Sequence, residues 1–342
     1  MSTDPQPGPD TVDLDAVLAG LRAVAIPMRV RFRGVTVREA ALVRGPFGWG
    51  EFSPFLEYEP PEASRWLASA VESAWHGWPE PRRDTVPVNA TVPAVPAEQV
   101  PTVLARFDGC RTAKVKVAER GQVLADDVRR VAAVRDTMGL EARIRVDANG
   151  AWDVEQARDA LGALAAYGIE YAEQPCATVP ELKRLRVALA RAGIDVPVAA
   201  DESIRKAEDP LLVAREEAAD LVVVKVAPLG GVRRALEVVQ ECGLPAVVSS
   251  ALDTSVGMAA GLALAAALPE LPHACGLGTV ALLEGDVTAD PLTPRSGELA
   301  VRRVDADPDL LERWAVPEDR QVWWRDRVRA CWAELQRSRG SA

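Results

Sequence analysis

Five short apolar runs in this chain end in charged side chains, and the runs recur at nearly constant spacing. They read Thr112-Ala-Lys114-Val-Lys116, Ile144-Arg-Val-Asp147-Ala-Asn149, Tyr171-Ala-Glu173-Gln-Pro175, Val198-Ala-Ala-Asp201-Glu202 and Val222-Val-Val-Lys225. The steps from Asp147 to Glu173, Asp201 and Lys225 are 26, 28 and 24 residues. One strand, one loop and one helix need about that length. Parallel strands closed into a barrel bring their carboxyl ends to one face, so charges far apart in sequence converge there. The spacing therefore predicts one site with three carboxylates flanked by lysines.

The same period runs along most of the chain. Strand-like runs occur at 86–92, 112–118, 143–149, 170–174, 197–202, 220–226, 245–250 and 272–278. Between them lie segments with helical spacing, such as Val154 to Ala166 and Val232 to Cys242. Eight short apolar strands separated by helices predict an α/β chain folded as a (β/α)7β TIM-like barrel, its strands covered on both faces. The uncharged stretch from Ser255 to Pro269 is too short to span a bilayer and reads as a buried helix of the barrel wall.

Before the barrel the pattern differs. Met28-Arg-Val-Arg-Phe-Arg alternates as a half-solvated antiparallel strand does. Arg38-Glu-Ala-Ala-Leu-Val and Gly48-Trp-Gly-Glu51 read as second and third strands. Pro61 to Trp75 reads as a helix with its proline at the start, where the missing N–H does no harm. After Thr279 comes a loop, a short strand at 297–301 and an amphipathic helix from about Pro317 to Arg337, packed through Trp323, Trp324 and Trp332. The expected organisation is a small α+β unit at 1–85, a barrel at 86–285 and a C-terminal segment at 286–342 that returns to the first unit. The Pro- and Asp-rich start reads as a loose tail without a signal pattern.

Composition removes several function classes. A net charge of −10 without a basic patch argues against nucleic acid as a partner, and no membrane segment stands out. Five cysteines with no CxxC pair fit reduced thiols in a cytoplasmic enzyme. Only His76 and His273 exist, so a His-rich zinc site and a Ser-His-Asp triad are hard to assemble. His273 reads as a structural histidine. The acid/base groups are then lysines or carboxylates.

Three carboxylates with no His or Cys beside them suit a hard divalent ion with oxygen ligands, and Mg²⁺ is the natural choice. The chemistry that needs this set is proton abstraction next to a carboxylate, which creates an unstable enediolate. A lysine of ordinary pKa, about 10.4, is protonated at neutral pH and is a poor base. A neighbouring cation, a metal and partial desolvation all lower that value. Lys114 and Lys116 point to the same side of their strand, and Lys225 approaches from across the barrel.

In combination these motifs resemble the enolase superfamily, in its muconate-lactonizing-like subgroup: Lys-x-Lys, Asp-Ala-Asn, Glu-Gln-Pro, Asp-Glu-Ser and Lys on successive strands, with Gly48-Trp-Gly-Glu51 similar to the capping domain. Enzymes of that superfamily use a Lys or His base with Mg²⁺. The resemblance implies Asp147, Glu173 and Asp201 as Mg²⁺ ligands, Lys116 as the acid/base and Lys225 as the lysine on the opposite face. It places Lys114 beside both Lys116 and the carboxylate of a small-molecule substrate. Asn149 and Glu202 would support the ligands. Arg145 shares the Asp147 face and reads either as another such support or as a buried structural cation.

Specificity must then come from the seventh and eighth strand ends and the cap. Ser249 and Ser250 offer hydroxyls to a second carboxylate or carbonyl, or simply end a strand. The eighth run, His273-Ala-Cys-Gly276-Leu-Gly278-Thr279, carries no acid, unlike the dipeptide epimerases and muconate cycloisomerases of the subgroup. With the Leu-Leu and Asp286-Val that follow, it is similar to the o-succinylbenzoate synthases, lyases of menaquinone biosynthesis, and puts Gly276 among the substrate contacts. Phe52 and Phe55 read equally as a cover for a ring and succinyl tail or as core of the cap. The resemblance implies dehydration of 2-succinyl-6-hydroxy-2,4-cyclohexadiene-1-carboxylate to o-succinylbenzoate. An N-succinylamino acid racemase, alone or as a second activity, is the nearest alternative. A Schiff-base aldolase and an inactive metal-binding homologue are more distant ones.

Overall fold

The computed structural model describes residues 12–205 and 209–340. The Pro- and Asp-rich opening segment lies outside these residues up to position 11.

The alternating N-terminal segments form a three-stranded antiparallel sheet of β1 (Arg22–Phe32), β2 (Val35–Gly45) and β3 (Gly48–Phe52). The β1–β2 turn has Arg33 at φ +51° and Gly34 at φ +83°, the left-handed pair that suits the twist of a tight hairpin. The helix Pro60–Val71 packs against β3 and opens on two prolines. This contact requires Gly50, because a Cβ there would lie 2.1 Å from the Ala70 carbonyl oxygen. The expected single helix to Trp75 instead changes to a π turn at Glu72–His76.

The barrel run at 86–92 is two strands, not one. β4 (Thr85–Pro87) pairs outside the barrel, and β5 (Ala90–Val92) begins the parallel sheet. β6 (Thr112–Lys116), β7 (Arg143–Asp147), β8 (Ile169–Glu173), β9 (Val198–Ala200), β10 (Leu221–Val224) and β11 (Ala246–Val248) follow in spatial order, each beside the strand before it. The eighth run closes the ring by single bridges: Gly276 pairs with Ser249 and Cys275 with Val88, both parallel. Gly276 N–H donates to Val248 O at 2.8 Å, and Asn89 N–H to Cys275 O at 2.9 Å.

Two apolar layers hold this barrel. Val, Leu and Ile from strands and helices fill the space outside the ring. Tyr171, Ala199, Leu221, Val223 and Val247 pack inside it. The helix Ser255–Ala267 is buried at all but one of its residues, which explains its lack of charge.

The C-terminal segment divides its loyalties. β12 (Glu298–Ala300) pairs antiparallel with β4, at the barrel rather than the cap. The helices Pro308–Arg313 and Glu318–Gly340 and the turn between them reach the cap, and Arg303 Nη1 donates to Ser73 O there at 3.1 Å. Trp324 of the last helix is fully buried edge-on against Phe52, with centroids 5.7 Å apart, and its Nε1 donates to Glu39 at 2.8 Å.

Candidate active site

Strand register builds the site in two tiers. Lys116, Asp147 and Glu173 are direct neighbours across β6, β7 and β8; Lys114, Arg145 and Tyr171 form the tier below. Asp201 follows β9 and Lys225 follows β10, so their side chains join the upper tier. Asn149 (φ +49°) and Gln174 (φ +37°) take left-handed backbone just after Asp147 and Glu173 and end those strands sharply.

The three lysines, the three carboxylates and Arg145 are all buried. Lys114 Nζ donates to both oxygens of Glu173, at 2.9 and 3.0 Å, and lies 3.4 Å from Asp147. Lys116 donates to Asp147 and, at 2.8 Å, to Asn149 Oδ1. Lys225 donates to Asp201, whose other oxygen lies 3.2 Å from Arg205 Nε. Each carboxylate is thus held by an ammonium, and among the described residues no three His, Cys, Asp or Glu side chains converge on a metal-ligand centre.

Burial and like charge act on this cluster together. They push the Glu173 carboxyl up to about 7, burial first and the Asp147 charge second. Burial also works against the charge on Asp147 and Asp201, but cations outweigh it. Lys116 and Lys114 hold Asp147 well below the usual carboxylate range, and Lys225 with Arg205 lowers Asp201 to about 2. Among the lysines, burial opposes the Lys114 charge, yet Glu173 and Asp147 raise its pKa. Lys116 goes the other way: burial lowers its pKa, helped by the charges of Lys114 and Arg33 against the pull of Asp147. An all-oxygen set of crowded, buried carboxylates that already attracts three ammonium groups has the chemistry to take a hard divalent cation.

The space above the cluster measures about 530 Å³ when counted out into open solvent. Cap and barrel both line it. Phe32, Arg33, Phe55 and Trp66 come from the cap; the lysines, Asp147, Asn149, Asp201, Ser249, Ser250 and Gly276 come from the barrel. The Ser250 hydroxyl is engaged with Thr279 Oγ1 at 2.7 Å, and Ser249 Oγ contacts Gly276 O at 3.4 Å. Position 276 must be glycine for this approach, because a Cβ would lie 2.5 Å from Ser249 Oγ.

Two residues that carried two readings each are placed by their contacts. Phe52 does not line the cavity. Alternation along β3 turns Glu51 toward the barrel and Phe52 into the cap core against Trp324. Arg145 lies one tier below the carboxylates and supports none of them by hydrogen bond. Its Nε meets Glu170 at 2.6 Å, its Nη1 meets Ala274 O at 2.6 Å, and its guanidinium stacks on Tyr171 at 4.7 Å. It is the buried structural cation of the barrel interior. His273 joins the same cluster through Nδ1, 3.0 Å from Glu170. Asn149 and Glu202 do gather at the site: Asn149 Nδ2 donates to Glu202 at 3.3 Å.

Three functional groups escaped the sequence reading. Gln174 Oε1 accepts from the backbone N–H of Asp201 at 2.9 Å and of Ser203 at 3.2 Å, tying the ends of β8 and β9. Arg205 braces Asp201 and Glu202 together and donates to the Tyr58 hydroxyl at 3.1 Å. Its spacing of four from Asp201 and three from Glu202 was the available helical signal. Arg33, on the hairpin tip, stands 3.8 Å from Glu202 across the cleft. Only its position before Gly34 marked it as a turn residue.

Comparison with known proteins agrees with this architecture. Residues 97–306 match the family described as enolase C-terminal domain-like, and residues 23–74 the family described as enolase N-terminal domain-like. The chain is 61% identical over 321 residues to an o-succinylbenzoate synthase of Mycolicibacterium smegmatis, covering 94% of this chain and 97% of the relative. It is 58% identical to an o-succinylbenzoate synthase of Mycobacterium tuberculosis, over 96% and 98% of the two chains. A muconate lactonizing enzyme from Pseudomonas fluorescens superposes with a TM-score of 0.74 at 22% identity, over 86% of this chain and 98% of that one. That last likeness speaks for the fold alone.

Proposed function

The chain belongs to the enolase superfamily, and from that premise we propose that it dehydrates 2-succinyl-6-hydroxy-2,4-cyclohexadiene-1-carboxylate to o-succinylbenzoate, a step of menaquinone synthesis in the cytoplasm. The high identity to o-succinylbenzoate synthases over nearly the whole chain supports the substrate. The observation that carries the chemistry is Lys116, a buried lysine with lowered pKa at the rim of a carboxylate cluster.

Asp147, Glu173 and Asp201 would hold Mg²⁺. The ion would supply positive charge for the enediolate that forms on the substrate carboxylate. Lys116, as the neutral amine, removes the proton from the ring carbon that bears the carboxylate. The freed electron pair moves into the carboxylate as the enediolate. The Lys116 ammonium then gives that proton to the hydroxyl on the next ring carbon and on the same face. Water departs as the electron pair returns to form the ring double bond, and the product is aromatic. Lys114 keeps its charge and lowers the pKa of its neighbour. Lys225 transfers no proton in this reaction; its ammonium faces the enediolate from the far side. Ser249, Gly276 and Phe55 are wall groups for the succinyl tail, and Ser250 reaches it only by giving up Thr279.

The test is an absorbance assay with the cyclohexadiene substrate and Mg²⁺. Wild-type protein turns it over, and Lys116→Ala does not, while still binding Mn²⁺ as a spectroscopic stand-in. Turnover by Lys116→Ala, or none by wild type, overturns the reading. A second reading, N-succinylamino acid racemase, is favoured by one fact: Lys116 and Lys225 both line the cavity. Racemisation needs proton transfer by each lysine, so Lys225→Arg would suppress it more than dehydration.

A further inference from the structure

Arg38 stands on β2, fully inside the protein, and touches none of the three carboxylates of the reaction centre. Its hydrogen bonds go to backbone carbonyls on two separate walls of the cavity. From the cap it grips Ser53 O, and the Phe55 ring lies 4.7 Å below its guanidinium. From the barrel it takes Leu252 O at 3.1 Å and Ala251 O at 3.2 Å. Phe55, Ala251 and Leu252 all line the cavity.

The barrel loop that it holds is strained. Leu252 has φ +64° and is buried. A branched side chain adopts that backbone only when the surroundings impose it. A second cap residue acts on the same loop from the other direction. Glu51 accepts from the N–H groups of Thr254, at 3.1 Å, and Gly257, at 3.0 Å, at the start of the 255–267 helix. The cap therefore takes the loop's carbonyls with a cation and its N–H groups with a carboxyl group, whose pKa burial and the Asp253 charge push up to about 7. Asp253 and Glu51 lie in the field of the guanidinium.

The cap wall fixed by this grip also carries an unused donor. Trp66 packs edge-on against Phe55, with centroids 6.1 Å apart. Its Nε1 is buried and has no partner among the described residues. Such a group is costly to leave unmet and marks a wall suited to an oxygen-bearing ligand.

We propose that Arg38 is a positioning residue for substrate recognition: it sets the cap's Phe55 wall against the barrel's Ser250–Leu252 wall, and so shapes the subsite for the succinyl tail remote from the reacting carbons. Lysine cannot replace it, because one ammonium does not reproduce a planar fork that reaches two loops at once. This inference rests on the proposed dehydration for its substrate, but not for its mechanical content.

The experiment uses the full chain with Arg38→Lys and Arg38→Met; the lysine variant keeps the buried charge if the methionine variant fails to fold. For Arg38→Lys the KM for the cyclohexadiene substrate rises about tenfold or more, while kcat stays within about threefold. The Mg²⁺ concentration for half-maximal rate is unchanged. Hydrogen exchange at residues 251–257 accelerates in the same variant without substrate. An unchanged KM, a fall in kcat at constant KM, a weakened Mg²⁺ response or unaltered exchange overturns the proposal. If wild type leaves the cyclohexadiene untouched, the functional reading fails on its own, and the exchange comparison still decides the role of Arg38.

Discussion

Lys116 Nζ sits 2.8 Å from Asn149 Oδ1, and the left-handed backbone of Asn149 makes that contact possible. The same residue donates its backbone N–H to Asp147 Oδ1 at 3.1 Å and its amide to Glu202. One residue thus orients the lysine and, through its backbone N–H and its side-chain amide, links it to two acids.

Removing that amide separates orientation from backbone strain. Asn149→Gly keeps the positive φ at no steric cost but lacks the acceptor. Its turnover should fall about tenfold, the value of one hydrogen bond to a charged group, with little change in Tm. Asn149→Ala should lose the same activity and also stability, because alanine resists φ +49°. Steady-state rates and thermal melts of the two variants check this.

Metal removal should silence the enzyme. Dialysis against EDTA is expected to lower turnover more than about a hundredfold, and Mg²⁺ should restore it. Glu173→Gln should need far more Mg²⁺ for the same rate. A metal-free preparation at full activity would contradict the oxygen-ligand assignment.

Glu170 should make the fold acid-sensitive. Burial alone would raise its pKa, but the His273 hydrogen bond and the Arg145 charge outweigh burial and lower it from 4.5 to about 2. As pH falls below about 4.5, the unfolded chain binds this proton while the folded one does not. Stability is therefore present above that pH and lost as pH falls toward about 2. In Glu170→Gln the slope of Tm against pH over this window should flatten. At neutral pH the variant should lose about 3 kcal/mol, since Arg145 keeps a buried charge with its acid gone.

Gly50→Ala tests the join of sheet and helix in the cap. The new Cβ would collide with the Ala70 carbonyl oxygen. Overpacking of this kind costs about 1–3 kcal/mol, which in a chain of this length corresponds to a Tm lower by about 1–4 °C. A calorimetric scan reads it directly.

What the sequence made legible follows from periodicity. A strand's inward positions repeat every second residue, and parallel strands end on one face. Lys116, Asp147, Glu173, Asp201 and Lys225 could therefore be gathered by counting. The family resemblance added the cap. Counting failed where one residue decides a direction. Phe52 and Phe55 look alike in sequence, yet Phe52 closes a strand that faces the cap core and Phe55 lies in the loop beyond it. It also failed for long-range partners. Arg38 meets Leu252 across 214 positions, and no local pattern announces that. Arg145 had the parity of a site residue, but two residues along a strand move it a whole tier down.

Glu51 is not alone in serving a barrel helix from the cap: Glu72 accepts from Val232 N–H at 2.5 Å and Arg233 N–H at 3.1 Å, at the start of the 232–242 helix. A neighbouring unit thus completes the terminal turns of two wall elements. Expressed without residues 1–84, the ring would lose the acceptors of both helix starts, so cap and barrel are expected to melt in one transition rather than two.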